Sequence, residues 1–153
     1  MNEPHSANPY FELALAEHRA LHRMLRETQA AVALACQAAD PKSAGRSAKE
    51  QISRLFEHVR EHFAQEEAGG YLEEATSIVP RLGPDAAELE RQHGTLLARL
   101  KYLLNSAAVA MDKKDWEEVD GYFRTLAAEL HEHEVAEDRI LQQAGAAAID
   151  PDV

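Results

Sequence analysis

The chain has a single cysteine, few aromatic residues, no surplus of positive charge and no long apolar run, and each shortage removes a class of protein. Cys36 alone cannot form an internal disulfide, and its place on the apolar side of a helical stretch reads as a small buried hydrophobe. With 27 acidic against 16 basic residues the net charge is -11, which repels phosphate backbones and anionic lipid, so neither nucleic acid nor a membrane is expected as a partner. The most apolar segment, Ala30 to Ala39, is too short and too rich in alanine to span a bilayer. Met1 to Ala7 lacks the basic cluster and apolar run of a leader, and a soluble cytoplasmic protein is expected. None of Ser6, Ser43, Ser47, Ser53, Ser77 and Ser106 sits in a GxSxG elbow. Gly69-Gly70 is followed by Tyr71-Leu72-Glu73, without the lysine of a phosphate-binding loop, so nucleotide chemistry is not expected either.

What remains is helix. A chain of 153 residues suits one domain, able to bury roughly 70% of the surface its unfolded form exposes. The domain is expected over 9–145, with flexible termini at 1–8 and 146–153. Asn8-Pro9 reads as an N-cap with proline at the first helical position, opening a helix to about Ala39 that stops before Asp40-Pro41. Its apolar stripe is Phe11, Leu15, His18, His22, Leu25, Val32 and Cys36. Ser47, with Glu50 as capping-box partner, reads as the start of a second helix carrying Ile52, Leu55, Val59, His62 and Glu66, and ended by Gly69-Gly70. Tyr71 to Val79 fits a short extra helix closed by Pro80, followed by a turn at Arg81-Leu82-Gly83-Pro84. A third long helix, about Asp85 to Met111, carries Leu89, His93, Leu96, Leu100, Leu103 and Ala107. After a polar turn at Asp112 to Asp115, a fourth carries Val119, Tyr122, Leu126, Leu130, His133, Glu137 and Ile140 and frays in the alanine-rich tail. Four long amphipathic helices on short connections point to an all-α, antiparallel up-down-up-down four-helix bundle.

Two of these helices carry the spacing HisxxxGlu on the apolar stripe, His62 with Glu66 and His133 with Glu137, and the other two place His18 and His93 there. Four segments therefore aim metal-type ligands at one interior. If the four histidines share a layer, alternating helix direction brings Glu66 and Glu137 together one turn away, about 6 Å along the axis. Two facing carboxylates in a low-dielectric core repel, and one must take a proton unless a cation joins them. A metal pair bridged by both carboxylates and capped by imidazoles resolves the conflict, and mixed imidazole and carboxylate ligation suits iron, and also manganese or zinc. For any one of the four histidines the ordinary alternative is a hydrogen-bonded core residue; for the constellation it is a polar core network, whose burial without metal would cost several kcal/mol.

The segments EHRALHRML at 17–25, HFAQEEAGGYL at 62–72, LERQHGTLLARL at 89–100 and HEVAEDRIL at 133–141 resemble the four ligand helices of hemerythrin-like, or HHE cation-binding, domains, over nearly the whole chain from Phe11 to Ala144. The resemblance implies a left-handed four-helix bundle around two non-haem iron ions (Fe2+/Fe3+), open to an oxo or hydroxo bridge. It assigns His18, His62, His93 and His133 as terminal ligands and Glu66 and Glu137 as bridges. Oxygen-carrying hemerythrins have two histidines four apart on the third helix, where this chain has Leu89 and Leu97 flanking His93, so one iron lacks an imidazole. Their fourth helix uses HisxxxxAsp, which would select Asp138; helical geometry favours Glu137, about 40° around the axis from His133 against about 140° for Asp138. The connection from Glu66 to His93 is also longer than in the oxygen carriers.

Other polar residues admit two readings. His22 and His58 lie one turn from proposed ligands, at the level of Glu129, where they would supply the missing imidazole, bind a further metal or relay protons, or else form a pair at the bundle's edge. Glu67, Glu73 and Glu74 read as solvent-facing charge, with Glu67 a substitute ligand in second place. Tyr71 reads as packing, or as a hydrogen-bonding group near the metals. His131 is expected to be exposed, and His5 lies in a polar leader. The resemblance implies a small diatomic ligand or peroxide as partner. The function expected is a stand-alone di-iron protein that binds or senses dioxygen, nitric oxide or peroxide, or handles iron. The alternatives are a di-iron enzyme consuming peroxide or transforming nitric oxide, and a metal-free helical interaction module. The sequence carries no expectation for oligomeric state.

Overall fold

A computed structural model describes residues 9–149. The expected cap Asn8, His5, the expected flexible segment 1–8 and residues 150–153 of the expected flexible segment 146–153 lie outside the described residues. Four long helices account for most of the described chain: α1 Pro9–Gln37, α2 Pro41–Glu67, α4 Gly83–Val109 and α5 Lys113–Ile149. Between α2 and α4 stand the short α3, Tyr71–Ile78, and a 3-10 turn, Pro80–Leu82. No strand occurs among the described residues, and none of the described helices is long and apolar enough to cross a membrane. α1 packs on α2 and α5, and α4 packs on the same two, so the long helices form a ring in the order α1, α2, α4, α5. Contacts between α1 and α5 step backward along α5 as α1 advances: His18 with Asp138, Gln29 with Asp120, Cys36 with Trp116.

The boundaries follow local chemistry, in places not the chemistry expected. α2 does not start at Ser47. Asp40 is its N-cap, accepting from the Lys42 N–H, and Pro41 supplies the first position with its φ already helical, so the Asp40-Pro41 stop of α1 is also the start of α2. Ser47 and Glu50 then lie inside an established helix. Arg81 to Pro84 is not a simple turn, because α4 already begins at Gly83 with Pro84 in its first turn. Asp112 and Asp115 cap α5: the Asp115 N–H donates to the Asp112 carboxylate at 2.9 Å, and the Asp115 carboxylate accepts in return from the N–H groups of Asp112 at 3.5 Å and Met111 at 2.9 Å. The alanine-rich tail continues as helix to Ile149, with Ala144 fully buried and Ala147 packed on the core.

The interior holds two apolar clusters with a polar layer between them. The larger runs through Leu21, Leu25, Val32, Ile52, Leu55, Val59, Phe63, Leu96, Leu100, Phe123, Leu126 and Leu130. The smaller joins Phe11, Ala14, Tyr71, Leu72, Val79, Leu89, Ile140 and Leu141. Along three of the long helices the polar residues of the site fall between the two sets: Ala14, His18, Leu21 on α1, Leu89, His93, Leu96 on α4 and Leu130, His133, Glu137, Ile140 on α5, while α2 reaches the layer at its C-terminal end with His62 and Glu66. The expected stripe of α1 is corrected here. Leu21, not His22, is buried, since the line Ala14, His18, Leu21, Leu25, Thr28, Val32 follows the 3.6-residue period and leaves His22 exposed. On α5, Phe123 takes the core position and Tyr122 is half-buried. Cys36 is also only half-buried, and its thiol donates to the Trp116 carbonyl at 3.2 Å.

Candidate metal centre

Six of the expected ligands meet in the polar layer. His18, His62, Glu66, His93, His133 and Glu137 are each at most 5% exposed. Their ligand atoms fall into two groups, His18, His62, Glu66, Glu137 and Glu66, His93, His133, Glu137, each with all atoms within 4.8 Å of one another. Glu66 and Glu137 belong to both groups, and each group adds two imidazoles. The shared carboxylates come from α2 and α5, one turn beyond a histidine on the same face, as the spacing of four requires.

All four imidazoles have the same orientation. Each Nε2 points inward: His18 Nε2 is 3.0 Å from Glu137 Oε2, His62 Nε2 is against Glu66 Oε1, His93 Nε2 is 3.3 Å from Glu66 Oε2, and His133 Nε2 is 2.5 Å from Glu137 Oε1. Each Nδ1 faces an outer acceptor: Asp138 at 2.5 Å for His18, Glu17 at 3.3 Å for His62, Glu67 at 3.2 Å for His93 and Gln92 at 2.8 Å for His133. Acceptors there require a proton on Nδ1, which leaves the Nε2 lone pair free to bind a cation and makes the imidazole a better base. Inward, the atoms are close but not aligned for hydrogen bonding. Both oxygens of Glu66, Oε1 of Glu137 and Nε2 of His93 and His133 are buried without a hydrogen bond. A buried unpaired polar atom costs about 1–3 kcal/mol, more when charged, so a convergent set of five is an arrangement that could hold a metal ion.

The electrostatics show what the layer lacks. Burial works to lower the pKa of His18, but Asp138 and Glu137 outweigh it and hold the imidazole up at about 10. Burial likewise opposes protonation of His93, and Glu137 and Glu66 push it up to about 10. His62 is also raised against its burial, by Glu66. Burial alone would raise Glu137, yet contacts from His133, His18 and His93 keep it well below the usual carboxylate range. Without a metal, protons on imidazoles supply the positive charge that the carboxylates demand. Buried His and Glu groups in this arrangement can hold a metal ion.

Comparison with family models, with curated proteins and with solved structures gave no match.

The remaining candidates divide. Asp138 lies in neither ligand group; it holds His18 Nδ1, an outer role that its angular offset from His133 explains. Glu67 is half-exposed and holds His93 Nδ1, neither free surface charge nor a ligand in either group. His22 and His58 are not brought to either group. His22 meets His131, ring centroids 5.6 Å apart, and half-buried His58 has its pKa lowered by burial and by His62. Glu129 pairs with Arg99.

Tyr71 belongs to the centre. Its hydroxyl donates to Glu137 Oε2 at 3.2 Å and lies 2.8 Å from His18 Nε2 and 3.2 Å from His62 Nε2. Burial and then the charges of Glu137 and Glu66 raise its pKa, so the phenol keeps its proton. Gly69, at φ +91°, turns the chain back after α2, and Gly70 passes so close to it that an added Cβ would sit 2.9 Å from Glu66 Cα; these two glycines bring Tyr71 over the ligands. Glu134 was not anticipated. It is 6% exposed, its Oε1 has no partner, and burial pushes its pKa up to about 7. The available signal was its position four residues after Leu130 and three before Glu137, at the edge of the apolar stripe.

Proposed function

We propose that this chain is a non-haem di-iron protein of the hemerythrin-like kind, an up-down-up-down four-helix bundle that binds or senses dioxygen, nitric oxide or peroxide. The observation that carries the reading is the common orientation of four imidazoles, each with an acceptor at Nδ1 and each with Nε2 turned toward two buried carboxylates, three of whose four oxygens have no hydrogen bond. The sharing of Glu66 and Glu137 between two ligand groups supports two ions bridged by both carboxylates. The stepwise retreat of α5 contacts along α1 supports the up-down topology. Two nitrogen and two carboxylate donors per position suit iron, and also manganese or zinc, and the resemblance to hemerythrin-like domains favours iron among them. Four protein donors leave room in a five- or six-coordinate shell.

In this reading His18 and His62 hold one ion, His93 and His133 the other, and Asp138, Glu17, Glu67 and Gln92 fix the imidazoles for the task. Phe63, stacked on His93 at 3.9 Å, and the two apolar clusters exclude bulk water. When bound, iron supplies redox change and Lewis acidity at an open position. The Tyr71 hydroxyl, held by packing on the His18 and His62 side, donates a hydrogen bond into the centre. That donor favours a second reading, an enzyme that consumes peroxide or transforms nitric oxide, because a hydrogen-bond donor fixed beside the centre would stabilise negative charge developing on a small ligand there.

Elemental analysis of the purified protein, with visible spectra before and after exposure to air, tests the proposal. About two irons per chain with a di-iron absorption band are expected. No bound metal, and no uptake on anaerobic reconstitution with ferrous iron, would eliminate it. Steady-state turnover of hydrogen peroxide or nitric oxide separates the enzyme from the binding protein.

A further inference from the structure

We propose that the cavity between α1 and α5, beside the His18 edge of the centre, is a binding site for a small organic anion that carries a hydroxyl or amine donor. The cavity has a volume of about 420 Å³, within the range of pockets that hold small molecules. Arg19, Arg23 and Arg26, one face of α1, line it, and Leu15 and Val135 supply apolar wall.

The three arginines are exposed, and none makes an ion pair among the described residues; Arg54, Arg60, Arg91, Arg99 and Arg124 each meet a carboxylate, and Arg46, Arg81 and Arg139, which do not, are outside this lining. Arg19 and Arg23, four apart, repel each other along the helix, a local cost of a few tenths of a kcal/mol. In a chain of net charge -11 the cluster is a local reversal of sign, and it concentrates anions at one opening. His22 and His131, ring centroids 5.6 Å apart, add imidazole N–H groups to the same lining.

The second observation is Glu134 in the cavity wall. It is 6% exposed, with an Oε1 that has no hydrogen-bond partner. A ligand that is anionic throughout would meet repulsion from the carboxylates of the lining, the more open Asp138 and the buried Glu134. A ligand with its anionic end on the guanidinium groups, which suit carboxylate and phosphate, and a donor toward Glu134 satisfies both halves of the site. His18 and Asp138 also line the cavity, so such a ligand sits against the metal-ligating side of α1.

The role of this site beside a metal centre rests on the reading above; the binding itself does not. Two probes carry the required chemistry, 4-hydroxybenzoate and glycerol 3-phosphate, with benzoate lacking the donor and 4-hydroxybenzyl alcohol lacking the charge. Titrations followed by amide NMR shifts are run on metal-free protein and repeated after zinc(II) loading. At least one anionic probe with a hydroxyl should bind with Kd below about 1 mM, shifting amides of residues 15–26 and 131–138. The Arg19→Gln, Arg23→Gln double variant, altered only at exposed positions, should weaken it at least tenfold, equivalent to about 1.4 kcal/mol. Glu134→Met should remove the advantage of 4-hydroxybenzoate over benzoate while leaving benzoate bound. Helical circular dichroism checks that both variants are folded. Absence of saturable binding by both probes, equal binding by the neutral alcohol, or binding indifferent to the arginine changes would overturn the proposal. Failure to take up metal while the anion still binds would instead refute the metal reading alone.

Discussion

Metal loading should expel protons, and the number can be worked from the centre. His18 and His93 are held at about 10 in the metal-free protein, so at pH 8 each is about 99% protonated. A metal takes the Nε2 lone pair and cannot share it with a proton, so loading at pH 8 should release about two protons per chain, and more as pH falls. Tyr71 contributes none, since its pKa is raised. The competition weakens apparent affinity at pH 8 by about a hundredfold per histidine relative to neutral imidazole. Calorimetric titration of metal-free protein with zinc(II), repeated in buffers of differing ionisation enthalpy, gives the proton count from the slope of heat against that enthalpy. Asp138→Asn removes the partner that raises His18 most, and should lower the count at pH 8. The same shifts set the stability of the metal-free fold. Folded pKa values above the unfolded 6.5 contribute stability that is fully present below pH 6.5 and lost as pH rises through about 10. The loaded protein should show the opposite trend, losing metal and stability toward acid. A count near zero at pH 8, or a metal-free protein that gains stability between pH 6.5 and 10, would refute the reasoning.

Three further outcomes are expected. Glu66→Gln should deplete both metal positions, whereas His93→Gln should spare the His18 and His62 group and lose about half of the metal, as measured by elemental analysis; equal losses would argue against shared carboxylates. The double change His22→Gln, His58→Gln should leave metal content and its absorption band unchanged, because neither residue joins a ligand group; depletion would restore them to the centre. Gly45→Val should lower stability by about 2 kcal/mol or more, because a Cβ there would stand 2.7 Å from Cζ2 of buried Trp116, and thermal unfolding should shift down by roughly 5 °C.

The set of residues that converges in the polar layer was legible because its signal is periodic. His18, His62, Glu66, His93, His133 and Glu137 are polar residues on lines that are otherwise Leu, Val and Phe, and a 3.6-residue period needs no tertiary information. The choice of Glu137 over Asp138 followed from the same geometry. Less was legible where a residue lies at the edge of a stripe. Leu21 and His22 differ by one 100° step, and the histidine drew the expectation through its chemistry. Glu17, Glu67, Gln92 and Asp138 fall at half-exposed positions, where sequence alone cannot separate solvated charge from an acceptor held against a buried ring. Tyr71 depended on a turn. Its hydroxyl reaches the centre only because Gly69 adopts φ +91° and Gly70 closes on Glu66, and the glycines read simply as a helix end.

The charge around the four imidazoles ties these observations together. Glu66 and Glu137 lie inside, and Glu17, Glu67 and Asp138 stand behind three of the rings, five carboxylates with no Lys or Arg ion pair among the described residues. The layer sits between two apolar clusters that solvate none of this charge. Four imidazoles can accept at most four protons, and two divalent cations bring the same total charge. At pH 8, where about two of those protons are present, loading replaces them with ions that every Nε2 already faces and brings about two further positive charges to the five carboxylates. The apolar clusters are left undisturbed by the exchange, so the helices can be assembled before metal arrives. A helical fold that persists after chelation, with Tm lowered but secondary structure retained, is what this balance requires, and collapse of the helices on chelation would show that the clusters do not hold the layer together unaided.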